Sequence, residues 1–370
     1  MTGRPILVIT PPHDEWQTVH GSRRYLHGGK RYRDIAEEIL GEHGEVRHLD
    51  WDPEASPEAR AASLDAQLPE AHAIVVAPWL GLGDPELATF DEARLGRAAE
   101  LRVIAGTFDF RLWWIDLDEA DRRAITLVDT SRTMTRTVAE FGVGITLALL
   151  RDIPAAIDVV RSGNWMPPKG QGKYVFRDLA DCRVGLAGYG TINRHYRRFI
   201  APYGCEVRIY DPFVGEDVAE ADAVIRTGSL VELARSSDIL VVSIPPTPAT
   251  LGVIDASVID ALAPGSLFVL LSRMAVVEQE ALWRRVRAGE LRAAVDVYDP
   301  EPPPADAWFR RDPNVLPTPH IAGNVQFAHE RCFAEACRDA VRVLSGEAPE
   351  NPATVRDKRL YDGTLSGDAG

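Results

Sequence analysis

Short apolar runs alternate with stretches of helical periodicity along the first third of the 370-residue chain. PILVIT (5–10), AIVVA (73–77), LRVIA (101–105) and ITLVD (125–129) read as strands. RYRDIAEEILGEHG (31–44) and DPELATFDEARLGRAAE (84–100) read as helices, the second with Asp84 as a cap and Pro85 in its first turn. Strand–helix alternation implies a parallel sheet with helices on its faces. TVAEFGVGITLALLRDIPAAIDVVRSGNW (137–165) predicts a long helix that Pro154 should kink or break. From Cys182 the alternation restarts. RVGLAG (183–188), EVRIYD (206–211), AVIR (223–226), DILVVSI (238–244), SLFVLL (266–271) and LRAAVDV (291–297) predict strands, with helices at 191–203, 229–236, 256–262 and 278–289. These strands are almost continuously apolar, which fits a doubly wound sheet covered on both faces. VQFAHERCFAEACRDAVRVLSG (325–346) predicts an amphipathic helix ended by Gly346.

Composition narrows the class. Hydrophobic residues are 45% and charged residues 26%, as in a folded globular chain long enough for two domains. The longest apolar stretch, VGITLALL (143–150), is too short to span a bilayer. MTGRPILVIT has no apolar stretch long enough for a signal peptide, so a cytoplasmic protein without a membrane partner is expected. The net charge of −14 argues against nucleic acid, whose phosphates call for a basic surface. A small anionic substrate needs only one or two local arginines and stays open. Cys182, Cys205, Cys332 and Cys337 form no CxxC pair, and no histidine lies at zinc-ligand spacing from a pair. Reduced thiols and no metal site are expected.

The stretch LAGYGTIN, Leu186 to Asn193, has the layout of a dinucleotide-binding turn, with Asn193 where a third glycine is usual. It lies between a predicted strand and a predicted helix, the context such a site needs. Gly188 permits the tight turn, and Gly190 removes a side chain where backbone must approach a pyrophosphate. The amides of Thr191, Ile192 and Asn193 would open the helix toward the phosphates. Asn193 should disturb helix–strand packing rather than phosphate contact, and a small helix shift would accommodate it. Asp211 ends the next strand, 23 residues after Gly188. A carboxylate there suits the ribose hydroxyls of NAD and repels the 2′-phosphate of NADP, so NAD is the expected cofactor. An ordinary strand-end aspartate is the alternative.

Three downstream segments complete a constellation: LLSRMAVVEQEAL (270–282), AAVDVYDPEPPP (293–304) and NVLPTPHIAGN (314–324). Together with TVAE (137–140), RSGNW (161–165), GLAGYG (185–190) and PPTPATLGVI (245–254), they make the chain resemble the D-isomer-specific 2-hydroxyacid dehydrogenases from about Ala73 to Gly346. The resemblance implies an α/β protein of two Rossmann-like domains, each a doubly wound parallel sheet, with the active site in the cleft between them. Residues 1–131 and 325–370 would form the substrate-binding domain, and 132–324 the NAD-binding domain. Arg273 would anchor the substrate carboxylate and keto oxygen, Glu301 and His320 would form an acid–base dyad, and Asp296 would hold the nicotinamide carboxamide. Tyr189, Ser243, Pro245 and His320 join the expected cofactor contacts. Relatives commonly pair through the cofactor domain, so a homodimer is expected.

The chemistry follows from residue types. When a hydride leaves C2 of a hydroxy acid, the hydroxyl proton must leave too, and a histidine titrating near neutrality can take it. A carboxylate orients the imidazole, and an arginine offers a planar fork to the substrate carboxylate.

Departures from the family pattern bear on the substrate. Ser243 stands where many relatives have histidine, and GTFDFRLWWID (106–116) inserts bulky residues. Trp113 or Trp114 could line the cleft, or both could cover the core. The substrate-loop candidate is APWLGLGD (77–84). Gly81 would let backbone amides reach the carboxylate, while Trp79 and Leu80 suggest an apolar pocket. The absence of a nearby lysine weighs against a phosphite-type substrate, and Glu301 weighs against a formate dehydrogenase. Without a regulatory domain after residue 346, a feedback-controlled phosphoglycerate enzyme is not expected. The leading expectation is an NAD-dependent oxidoreductase for 2-hydroxy or 2-oxo acids. The alternatives are a phosphonate or specialised metabolite as substrate, or an NAD-sensing binding protein resembling the family's corepressors.

Overall fold

The computed structural model describes residues 3–11, 16–18, 21–23, 28–52, 55–78, 89–108, 112, 114–165 and 177–353. Strand β1 (Pro5–Thr10) is followed by the hairpin β2 (Trp16–Thr18) and β3 (Gly21–Arg23), then α1 (Tyr32–Leu40), β4 (Glu45–Asp50), α2 (Pro57–Gln67), β5 (Ala73–Val76), α3 (Glu92–Arg97), β6 (Val103–Gly106), α4 (Leu117–Arg122) and β7 (Thr126–Asp129). Then come α5 (Thr135–Leu150), α6 (Ile153–Arg161), β8 (Arg183–Ala187), α7 (Thr191–Ile200), β9 (Glu206–Tyr210), α8 (Glu216–Ala221), β10 (Ile225–Arg226) and α9 (Leu230–Arg235). The last are β11 (Ile239–Val242), α10 (Ala256–Ala261), β12 (Ser266–Leu270), α11 (Gln279–Arg287), β13 (Leu291–Val295), β14 (Val315–Pro317) and α12 (Gln326–Leu344). Among the described residues no helix is long and apolar enough to cross a membrane. Two units form: 3–134 with 324–353, and 135–323.

The first unit is a parallel sheet in the order β4-β1-β5-β6-β7. Strands β1, β5 and β6 are buried throughout, as their unbroken apolar sequences require. Edge strand β4, EVRHLD, is half-exposed and has no apolar run. Its Arg47 pairs with Glu45 and Glu70, and its His48 with Glu37. Helix α12 closes the core through Phe333, Ala336, Cys337 and Ala340, with Tyr32 edge-on to Phe333 at 5.0 Å. Buried Asp339 accepts from the amides of Glu350 and Asn351 and from Asn351 Nδ2. Residues 351–353 run back along β7, where Asp129 N donates to Asn351 O and Ala353 N to Leu127 O.

One expectation changes here, and one open alternative is decided. Of the helix drawn over 84–100, the described residues hold six helical ones, Glu92–Arg97, capped by Asp91, whose carboxylate accepts from Arg94 N. Asp84 and Pro85 lie outside the described residues. Trp114 is 1% exposed and wedged edge-on between Phe90 and Phe108, at 5.5 and 5.2 Å, so this indole belongs to the core rather than to a substrate pocket. Trp113 lies outside the described residues.

The second unit is a seven-stranded parallel sheet in the order β10-β9-β8-β11-β12-β13-β14. Helices α5 and α7 cover one face, joined by Tyr196 Oη donating to Thr146 Oγ1 at 2.8 Å. Helices α9, α10 and α11 cover the other. Helix α5 ends before Pro154: Asp152 takes a left-handed φ of 51°, and Pro154 falls in the first turn of α6, where its missing N–H breaks no helical bond. Arg292 secures the break, donating to Leu149 O and Asp152 Oδ1. The strand order reverses between β8 and β11, which opens a crevice beyond their carboxyl ends.

Candidate active site

At that crevice β8 runs into the glycine turn. Gly188 has φ +77°, and a side chain there would meet Ile244 Cγ1 at 3.1 Å and Ser243 O at 3.3 Å. Gly190, the residue before α7, faces open space and offers no side-chain cap. The first amides of α7 therefore point out uncapped, a cradle suited to phosphate. Asp211 accepts from Tyr189 N at 2.7 Å and Phe213 N at 2.8 Å, so two backbone donors aim its carboxylate. Tyr189 itself is buried, and its hydroxyl donates to Asp222 at 2.9 Å. The Ser243 hydroxyl, at the end of β11, is buried with no partner among the described residues. Pro245 beside it is exposed and accepts from Thr250 Oγ1. These residues fit a dinucleotide: an uncapped helix start, an oriented carboxylate for sugar hydroxyls, and a spare hydroxyl.

Asn193 does more than fit. It is fully buried, and Nδ2 donates to Gly188 O at 2.6 Å and Ala187 O at 3.3 Å. The side chain at the third-glycine position thus ties the helix to the turn it follows.

Beyond β12 and β13, Arg273, Glu301 and His320 come from three loops of the same unit. Arg273 follows β12 and donates from Nη1 to Ser272 O at 2.8 Å. His320 Nδ1 lies 2.5 Å from Glu301 Oε1, with the two side chains 16% and 23% exposed. Burial works to raise the Glu301 carboxyl. The hydrogen bond and charge of His320, the Tyr298 amide and the Arg273 charge outweigh it, and hold Glu301 below the ordinary carboxylate value. His320 has a left-handed φ of 52°, unusual for a non-glycine residue.

Asp296, just past β13 and 1% exposed, sits beneath that loop. It accepts from Thr318 Oγ1 at 2.6 Å, Ile321 N at 3.0 Å and Ala322 N at 2.8 Å. A carboxylate has about four acceptor positions, so one remains for another donor. Among the described residues no cluster of three or more metal-ligating side chains occurs.

Residues 143–322 match the model of the NAD-binding domain of D-isomer specific 2-hydroxyacid dehydrogenases. A glyoxylate reductase from Thermofilum pendens is 30% identical over 271 residues, covering 73% of this chain and 79% of that protein. The chain belongs to the D-isomer-specific 2-hydroxyacid dehydrogenase family. NAD(H) is the cofactor of the matched domain. A D-3-phosphoglycerate dehydrogenase from Mycobacterium tuberculosis is 30% identical over 309 residues, 83% of this chain and 54% of that protein. This chain spans about half the length of the phosphoglycerate dehydrogenases it matches. The solved 2-hydroxyacid dehydrogenase from Ketogulonicigenium vulgare Y25 is 26% identical with a TM-score of 0.72, covering 96% of this chain and 99% of that one.

Against this family background, three supporting side chains had escaped the sequence. Tyr298 Oη bridges Thr318 O at 2.9 Å and Val295 O at 3.2 Å, tying together the loops that carry Glu301 and His320. Thr318 anchors the histidine loop on Asp296. Ser272, next to Arg273, has a buried hydroxyl without a partner among the described residues. Only the position of Ser272 beside Arg273 could have flagged it; the other two act through contacts between loops. Trp79, Leu80 and Gly81, expected at the substrate, lie outside the described residues.

Proposed function

We propose that this chain is an NAD-dependent oxidoreductase that interconverts a D-2-hydroxy acid and its 2-oxo acid. The His320–Glu301 pair carries the reading: a 2.5 Å contact at a partly exposed site, with Arg273 close enough to depress the same carboxyl. Bound nicotinamide supplies the hydride acceptor or donor. His320 takes the C2 hydroxyl proton at Nε2 in oxidation and returns it in reduction, while Glu301 accepts from Nδ1 and so fixes the tautomer. Arg273 holds the substrate carboxylate through its planar fork. Gly188, Tyr189, Gly190, Thr191 and Ile192 form the phosphate turn, Asp211 takes the ribose hydroxyls, and Ser243 and Pro245 line the strand-end crevice. The one acceptor position left on Asp296 takes the carboxamide.

We assign substrate recognition to the unit of 1–131 and 325–370, through Trp79, Leu80 and Gly81. Relatives named glyoxylate reductase and D-3-phosphoglycerate dehydrogenase support a small anionic 2-oxo acid. A homodimer is supported by α6, which buries no residue and exposes Ile153, Ile157 and Val160 along one face, followed by Trp165 at 86% exposure.

The test follows NADH absorbance with a panel of 2-oxo acids, glyoxylate and phosphorylated acids included, for wild type and His320→Ala. Turnover should fall about 10²–10⁴-fold in the variant while NADH still binds. Equal turnover in both proteins would remove His320 from the chemistry. NADH binding without turnover of any acid would overturn the substrate class.

A further inference from the structure

Two cysteines unrelated to the site are brought together by the sheet. Strands β8 and β9 pair in parallel with Arg183 opposite Glu206. Cys182 and Cys205 immediately precede the two strands, so the same register carried one residue back sets them opposite each other. The backbone at Cys182 is already extended, with φ −105° and ψ 146°. Side chains alternate along a strand, so both cysteines share a face with Val184, Leu186, Val207 and Ile209. All four pack in the core under α5 and α7, where Cys182 is also found and against which Cys205 rests. Neighbouring strands lie about 4.8 Å apart, inside the span of about 4.4–6.8 Å that a disulfide bridges between Cα atoms. Both thiols are free in the structure.

We propose that Cys182 and Cys205 are a disulfide-forming pair, oxidised by low-molecular-weight disulfides and reopened by thiols. The two are unequal. Cys182 is 2% exposed and its thiol donates to Asp178 O at 3.4 Å, whereas Cys205 is half-buried. Cys205 therefore meets the oxidant first. Its thiolate attacks one sulfur of the small disulfide, forms a mixed disulfide and releases one small thiol. The Cys182 thiolate then attacks the Cys205 sulfur and releases the second. Two protein thiols lose two electrons and two protons, and the small disulfide gains them.

The surroundings set the pace. Burial pushes both thiols up. Around Cys182 the Arg177 charge opposes that rise, while Asp238, Cys205 and Asp181 add to it. At Cys205 its own backbone amide and Arg197 oppose the rise, and the Tyr196 hydroxyl also faces it. Thiolate is scarce at neutral pH, so the exchange accelerates as pH rises. The bond would enclose residues 183–204, the whole of β8, the glycine turn and α7.

The full-length protein is incubated with oxidised glutathione at pH 8, its remaining thiols are alkylated, and it is mapped without reductant. The expected product is a peptide pair joined through Cys182 and Cys205, absent after dithiothreitol, with Tm raised by about 5–10 °C. Cys182→Ser should stall with glutathione on Cys205. Wild-type protein that accumulates a lasting glutathione adduct on Cys205, or leaves both thiols unmodified, would overturn the pairing, and that map needs no variant to fold.

Discussion

Replacing Asp296 by alanine separates two roles for one carboxylate. The sequence assigned it to the cofactor, while three of its acceptor positions hold the loop of His320. In Asp296→Ala the buried amide of Ala322 loses its partner, at about 1–3 kcal/mol. The Ile321 amide and Thr318 hydroxyl are half-buried and recover bonds to water, leaving about 1 kcal/mol each. The left-handed backbone of His320 stores roughly 1 kcal/mol that the loop can then release. The total is about 4–6 kcal/mol against the docked loop. If about 3 kcal/mol of it reaches the loop equilibrium, the constant for docking His320 on Glu301 falls roughly 100-fold, at 1.4 kcal/mol per decade. Amide exchange at Ile321 and Ala322 should accelerate by a similar factor, and kcat should fall by up to that much. The glycine turn and Asp211 are untouched, so NADH should lose only the carboxamide bond to Asp296 and its Kd should rise by about tenfold. Hydrogen exchange with mass spectrometry and nucleotide-fluorescence titration read the two effects separately. Unchanged exchange at 321–322, with NADH affinity lost in step with turnover, would refute the loop argument.

Other outcomes follow from the same geometry. Asn193→Gly, which restores the usual third glycine, should destabilise the protein by about 1 kcal/mol and weaken NADH binding, because the bonds to Gly188 O and Ala187 O are lost; calorimetric NADH titration checks it. Asp211→Ala should raise the ratio of NADPH to NADH affinity by at least about tenfold, removing a charge that would repel the 2′-phosphate; the two nucleotide titrations decide it. The depressed Glu301 carboxyl stabilises the fold above its ordinary, unfolded value, and that contribution disappears as pH falls through its lower folded value. Denaturant unfolding between pH 6 and 3 should therefore show a shallower loss of stability in Glu301→Gln than in wild type.

Strand order and site chemistry were legible to different depths. Buried strands such as β1 and β12 announce themselves because both faces are covered and every position is apolar. Edge strand β4 did not, since its charges pair with Glu37 of α1 and with Glu70 in the turn after α2, which only the fold brings near. Pro154 marked a helix break correctly in kind, yet the break belongs to Asp152, whose partner Arg292 lies far along the chain. Arg273, Glu301 and His320 could be named from motif residues. Their supports could not, because Tyr298 and Asp296 act by joining loops. Asn193 read as a departure to be tolerated, since a side-chain bond to a turn carbonyl leaves no trace in spacing.

The first unit is assembled from both sides of the second. Its sheet lacks the cover of Phe333, Ala336, Cys337 and Ala340 until α12 exists. On a ribosome adding about 5–20 residues per second, the stretch from 135 to 323 delays that helix by roughly 10–40 s. During that interval 135–323 can complete its own sheet while β5 and β6 wait with apolar surface uncovered. The unit that begins first finishes last, and a half-built sheet of this kind is what a nascent-chain chaperone would have to shield.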